Sequence, residues 1–293
     1  MKKVVKPVLA ALLVAGCASK KPADAYGNFE AVETIVSAEV NGRLINLHIV
    51  EGQQLHKDQF VAAIDSTVPA LQKQELLARR KAVWSKIEGA DAQIAVVRQQ
   101  LENLQVDLRR VQNMLKDDAA TQKQLDDLTG SEKVLKKQLE AVQAQRRAIV
   151  SESDALDANL ALLNEQLNRC RILNPINGVV LEKYSEIYEV TAAGKPLYKI
   201  ANLDSIVLRI YVSGGQLSAI KIGQHCTVRI DKGKEQLEYP GIVTWISDMA
   251  EFTPKIIQTR EERINLVYAV KVMVRNEEGA IKIGMPGEAV FSY

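Results

Sequence analysis

The residues able to do chemistry are few and badly placed for it. His48, His56 and His225 are the only histidines, and His48 and His56 stand eight apart across a turn signal. Zinc sites draw their ligands from closer, paired spacings, so packing or surface roles are expected of all three. The acidic pairs Asp117-Asp118 and Asp126-Asp127 flank a break between two helical patterns. An exposed break has no enclosed pocket to raise a carboxyl into a general acid, and helix-terminus charge is reason enough for these residues. Lys57 lies in a loop rather than on a tight hairpin where a swinging cofactor could be attached. Cys170 and Cys226 are too far apart in sequence to be read as a disulfide or a ligand pair, and are expected as buried thiols. No catalytic group, cofactor or metal is expected, and the chain reads as a structural protein rather than an enzyme.

Cys17 is different. Lys2, Lys3 and Lys6 precede the apolar run Val8 to Ala15, which is too short to span a bilayer, and Leu13-Val14-Ala15-Gly16-Cys17 follows. This order resembles the bacterial lipobox, which implies cleavage before Cys17 and lipid on its thiol. Residues 1–17 are then a lipoprotein signal peptide and lipobox. Residues 18–32 begin small, polar and Pro-containing, as a tether between lipid and fold. Over the whole chain 38 basic residues offset 36 acidic ones, so no net field favours nucleic acid.

The elements that must position anything functional follow from two patterns. The first is a repeat at an offset of 136 residues: Val40-Asn41-Gly42-Arg43-Leu44 matches Ile176-Asn177-Gly178-Val179-Val180, and Val61 and Ile64 match Leu197 and Ile200. Asn41, Gly42, Asn177 and Gly178 are read as turns that open two short β units, because both residue types tolerate positive φ. The second pattern separates the copies. Ile87, Ile94, Val97, Leu101, Leu104, Leu108, Val111 and Leu115 alternate by threes and fours. Leu125, Leu128, Leu135, Leu139, Val142, Ile149, Leu156, Leu160, Leu163, Leu167 and Cys170 do so on the return. This is a coiled-coil seam, with Glu132, Arg146 and Ser153 as polar positions that can hold register. Each arm reaches about 70 Å at 1.5 Å per residue.

The break Lys116 to Ala120 is short, which makes the arms antiparallel, and Thr121 followed by Gln124 forms a capping box. Asp65-Ser66-Thr67 with Pro69 opens the outgoing helix, and Pro175 closes the return. The hairpin thus joins the two β units at its base and folds them into one domain. Strand-like runs at 206–212, 226–230, 241–246, 266–274 and 288–291, broken by glycines, predict a small barrel or sandwich, with one short helix at 216–220.

In this order the segments resemble the periplasmic adaptor, or membrane fusion protein, family (HlyD-like). The resemblance implies an α+β chain: a lipoyl-like β domain in two halves (33–66 and 171–203), a helical hairpin inserted between them (67–170), and a β-barrel domain (204–293). Arg275-Asn276 with Gly279, then Ile283 to Gly287, is similar to the family's barrel-closing segment. The family's hairpin tip docks on a TolC-like outer-membrane channel through the pattern R-x3-L-x6-S. Here the pattern falls on Arg110, Met114 and Thr121, two conservative departures that still offer a forked cation, an apolar knob and a hydroxyl. The resemblance also implies an inner-membrane transporter as partner, a homo-hexameric funnel, and attachment to a membrane, the inner one favoured and the outer possible. No fourth, membrane-proximal domain is expected from the short stretch before Val36 and the end at Tyr293, which favours an ABC-type over a proton-driven, RND-type transporter. The rival reading is an envelope scaffold lipoprotein whose coiled coil spaces components without transport.

Overall fold

A computed structural model describes residues 22–233, 235–252, 266–277 and 279–291. The signal segment, Cys17 and residues 18–21 of the tether lie outside the described residues. Eight short strands make a body from the two repeat copies: β2 (Glu33–Ser37), β3 (Gly42–Leu47), β4 (Gln54–Leu55), β5 (Phe60–Ile64), β6 (Arg171–Leu173), β7 (Gly178–Lys183), β8 (Val190–Thr191) and β9 (Pro196–Ala201). Shifting the first four strands by 136 residues lands on the last four. The two sheets, in strand order β2-β9-β7-β4 and β6-β5-β3-β8, follow the same exchange. Each sheet takes its inner strands from one copy and its outer strands from the other, so neither copy can complete a sheet alone.

The Asn-Gly pairs do another job than turning. Asn177 sits in a bend and Asn41 directly after one, neither asparagine has positive φ, and Gly178 has none either. Instead Asn41 Oδ1 accepts from the Ala193 amide at 2.9 Å, and Asn177 Oδ1 accepts from the Lys57 amide at 2.8 Å. These are equivalent bonds, each crossing from one copy to the other. A Cβ on Gly178 would lie 2.4 Å from the Ala201 carbonyl oxygen, and one on Gly42 would lie 2.5 Å from Ile64 Cγ2. The glycines are therefore required by close approach of a neighbouring strand rather than by a turn. Crossed backbone bonds continue the exchange: the Gly52 amide donates to the Val180 carbonyl at 2.8 Å and the Tyr188 amide to Leu44 at 2.7 Å. The enclosed core pairs Leu44 with Val180, Val61 with Leu197 and Ile64 with Ile200 as equivalents.

From this base rise α1 (Thr67–Lys116) and α2 (Gln122–Arg169), 50 and 48 residues long, or about 75 and 72 Å. Arg80 pairs with Asp157 and Lys86 with Glu152, while Asp91 pairs with Arg146. The 11 residues from Arg80 to Asp91 on one helix are matched by the 11 back from Asp157 to Arg146 on the other, so they run antiparallel. Every seam residue is buried or half-buried, and Val83 and Ala90 join it. The polar seam positions reach sideways: Arg146 Nε to Asp91, and Glu132 to Lys136. Ser153 is buried. At the base Ser66 makes no side-chain cap; Asp65 Oδ1 instead accepts from the Thr67 amide at 2.9 Å and its hydroxyl at 2.6 Å.

The remaining strands close a six-stranded barrel: β1 (Ala25–Glu30), β10 (Ser205–Ser213), β13 (Leu266–Arg275), β12 (Glu235–Phe252), β11 (His225–Lys232) and β14 (Pro286–Phe291), in that order. Residues 25–30 thus correct the tether boundary: they are a barrel strand, hydrogen-bonded to β10 on one side and β14 on the other. Ala25 and Phe29 point into the core while Tyr26, Asn28 and Glu30 point outward. The inward position between them is Gly27, which dilutes the alternation and hides the strand. The one-turn helix α3 (Gly214–Leu217) starts two residues earlier than the sequence predicts. Asn276 is 3% exposed and ties the closing segment down, donating to the Leu203 and Ile281 carbonyls and accepting from the Ile281 amide.

Candidate functional site

The far end of the hairpin is built from one helix end, one helix start and the turn between them. The amides of Asp117 and Ala119 both donate to the Met114 carbonyl, at 3.2 and 2.8 Å, and Asp118 takes a left-handed φ of 55°. Aspartate tolerates that region better than most residues, which lets four residues reverse the chain. Thr121 restarts the helix: its hydroxyl accepts from the Gln124 amide at 3.4 Å, and Gln124 Oε1 accepts from the Thr121 amide at 2.9 Å. Gln122 then donates to Asp126 at 2.9 Å.

Arg110 and Met114 are one turn apart on α1 and share a face. The Arg110 side chain is 67% exposed, with one contact to Asp107 Oδ1 at 3.2 Å, and Met114 is 40% exposed. Thr121 lies exposed across the turn, its acceptor committed to the cap and its hydroxyl hydrogen still able to donate. Asp107 was not singled out in sequence, although an acid three residues before Arg110 is the ordinary spacing for a helical ion pair. Asp117, Asp118, Asp126 and Asp127 are all exposed around this end.

The other reactive groups lie apart from it. His48, His56 and His225 are exposed at separate places on the body and barrel. Cys170 and Cys226 are buried and free. Burial pushes the Cys226 thiol up to about 11, and burial, then the nearby Asp65, raises Cys170, so neither is an activated nucleophile. Among the described residues no group of three or more His, Cys, Asp or Glu side chains is gathered as a metal site, and no helix is long and apolar enough to cross a membrane.

A long hairpin carried on a strand-exchanged body, with a barrel beyond it, has counterparts among known proteins. The family model described as RND MFP, barrel-sandwich hybrid domain, matches residues 32–201, more than half of the chain. The chain belongs to this family of membrane fusion, or periplasmic adaptor, proteins. Its members are adaptors rather than enzymes. The UPF0194 membrane protein in the asrC 5′ region of Acidithiobacillus ferridurans is 26% identical over 321 residues, covering 97% of this chain and 94% of the relative. A UPF0194 membrane protein of Yersinia pseudotuberculosis is 25% identical, covering 89% of this chain and 87% of its own length. Among solved structures, MacA from Actinobacillus actinomycetemcomitans aligns with a TM-score of 0.55 at 21% identity, over 90% of this chain and 76% of that one. The periplasmic adaptor protein EmrA aligns with a TM-score of 0.51 at 15% identity, over 92% and 98%. These two share the fold.

Proposed function

We propose that this adaptor is a lipoprotein, anchored through Cys17, that joins an inner-membrane transporter to a TolC-like outer-membrane channel in a tripartite export complex. The observation that carries the reading is the hairpin: two helices of 50 and 48 residues, seamed as a coiled coil, rise from a closed, lipoyl-like body and end in an exposed turn with no other evident task. A span of about 75 Å is a bridging dimension, far beyond what packing one small domain requires. The far end supplies a guanidinium for carboxylates or backbone carbonyls, a methionine that adapts to an apolar hollow, and a threonine hydroxyl. A homo-hexamer would present six such ends to a ring-shaped channel. The inner membrane is the favoured site of the anchor, with an ABC-type transporter as the first candidate partner and an RND-type one as the alternative.

The Arg110→Glu substitution should abolish capture of the channel in site-directed crosslinking from the hairpin end, while circular dichroism shows the helices intact. Normal crosslinking in that variant would refute the docking role of Arg110. Extraction in mild detergent followed by co-purification tests the rest. If neither a transporter nor a channel accompanies the protein, the scaffold reading replaces the export reading.

A further inference from the structure

The barrel has two unlike rims. The chain crosses to the body through residues 30–33 and 201–205, so one rim faces the body. Among the described residues, most exposed side chains there are charged, Asp231, Lys232, Arg275, Glu277 and Lys282, with Ile283 beside Lys282 and Val32 at the crossing as exposed apolar ones. The opposite rim is fixed by the register: Tyr26 lies beside Tyr211, Val267 beside Ser213, and the Phe291 amide donates to the Asp24 carboxylate. On this rim the exposed side chains include Ile222, Met249 and Leu266, which are 67%, 77% and 53% exposed. Lys221 is exposed beside Ile222, and Asp248 is exposed beside Met249.

Two of these apolar side chains are held outward by the backbone. The Gly223 amide donates to the Val243 carbonyl at 2.8 Å, the Val243 amide returns to Gln224 at 3.0 Å, and Ile220 is buried below, so the turn that displays Ile222 is pinned on both sides. The Ser247 hydroxyl accepts from the Met249 amide at 3.2 Å and donates to the Met249 carbonyl at 2.8 Å, which locks the bulge that carries Met249. Large apolar groups fixed toward solvent mark a contact surface.

The length of chain leading to this rim selects the occupant. Cys17 and Ala25 are eight residues apart. Fully extended, that segment spans at most about 29 Å. We infer that this rim of the barrel seats on the phospholipid bilayer that holds the anchor, with Ile222, Met249 and Leu266 entering the headgroup layer and Lys221 meeting lipid phosphate. The inference rests on the reading of Cys17 as the lipid anchor. Seating on this rim also directs the body, which leaves from the opposite rim, away from the bilayer.

The test uses the full mature protein, purified with its N-terminus as the cell leaves it and reconstituted into phosphatidylethanolamine–phosphatidylglycerol vesicles containing brominated lipid. In a Trp84→Phe, Trp245→Phe background, Ile222→Trp reports on the far rim, Met249→Trp is a second reporter there, and Glu277→Trp reports on the body-facing rim. Mass spectrometry of the same sample reads the N-terminus. With the lipid adduct present, fluorescence at 222 and 249 should be quenched at least twofold more than at 277. If the adduct is present and the three reporters are quenched alike, the seating is wrong while the anchor stands. An absent adduct removes the anchor and with it the reach that places the rim, and overturns both.

Discussion

The body and the hairpin are adjacent in the chain and held together by opposite means. In the body, contacts come in equivalent pairs across the copies: the side-chain oxygens of Asn41 and Asn177 accept from the Ala193 and Lys57 amides, and the backbone bonds of Gly52 to Val180 and Tyr188 to Leu44 cross between the same copies. In the hairpin, one apolar seam is flanked by ion pairs whose side chains are about half exposed, such as Arg80–Asp157 and Lys86–Glu152. Exposed pairs of this kind contribute little individually and are screened by salt. The body is thus intolerant of added volume at its crossings, whereas the hairpin tolerates surface change along most of its length. A base that must hold two chain segments together and an arm that must only reach are expected to differ in this way.

The sharpest test of the contrast adds one methyl group to each region. Gly178→Ala would set a Cβ 2.4 Å from the Ala201 carbonyl oxygen, a backbone atom that cannot move without opening β7 from β9. A loss of about 3 kcal/mol is expected in chemical denaturation. A loss below about 1 kcal/mol would show that the body repacks more freely than its crossed bonds indicate.

The next effect breaks the body's own symmetry. Asn174 and Tyr198 are the equivalents of Ala38 and Ala62, so one copy carries a buried polar pair where the other carries two methyl groups. Asn174 is fully buried, donates to the His56 and Ile176 carbonyls, and accepts from the Tyr198 hydroxyl at 2.9 Å. Burial raises the Tyr198 hydroxyl well above its ordinary value, so it remains a donor. Asn174→Ala leaves that hydroxyl and the Ile176 carbonyl without this partner, while the His56 carbonyl keeps the Gln59 amide, and should cost about 2 to 3 kcal/mol in thermal or denaturant melts. Tyr198→Phe should cost less, because it leaves only one acceptor position empty.

On the hairpin the same glycine substitution should reverse sign. A Cβ on Gly89 or Gly130 would meet nothing within 4 Å, and both lie inside helices. Gly89→Ala and Gly130→Ala should each raise stability by about 0.5 to 1 kcal/mol through the unfolded chain. Destabilisation at either site would mean that the helix surface there is already engaged.

The hairpin was legible from sequence because its signal is periodic and local: seam spacing, the Thr121–Gln124 cap and the short break each stand within a few residues of what they determine. The body was legible as a repeat and not as a topology, since strand exchange depends on bonds between residues more than a hundred apart. Its left-handed positions show why. The backbone is repeated at Gly52 and Tyr188, with φ of 82° and 73°, and at Asp58 and Gly194, with φ of 63° and 86°. Glycine marks one member of each pair only, so glycine spacing does not display the repeated conformation. β1 was missed for a related reason: Gly27 holds an inward position where close packing leaves no room for a side chain. At the hairpin end the turn and cap could be read locally, and Asp107 could have been, by its helical spacing from Arg110.

The smallest expected effect lies where the two regions meet. Hydrogen bonds from the Thr67 hydroxyl and then its amide hold the Asp65 carboxyl below its ordinary value of 3.8, against a slight desolvation and with help from Arg43. Because the folded value is the lower one, the cap's contribution is fully present above the unfolded pKa and is lost as pH falls through the folded pKa. Asp65→Asn keeps an acceptor oxygen but removes this titration. The wild type and the variant should therefore converge in thermal stability as pH falls below about 4, and separate slightly above it, with the wild type higher. A constant difference across that range would mean that Asp65 acts on the base through shape, not charge, and that the start of α1 is fixed by the body rather than by its own cap.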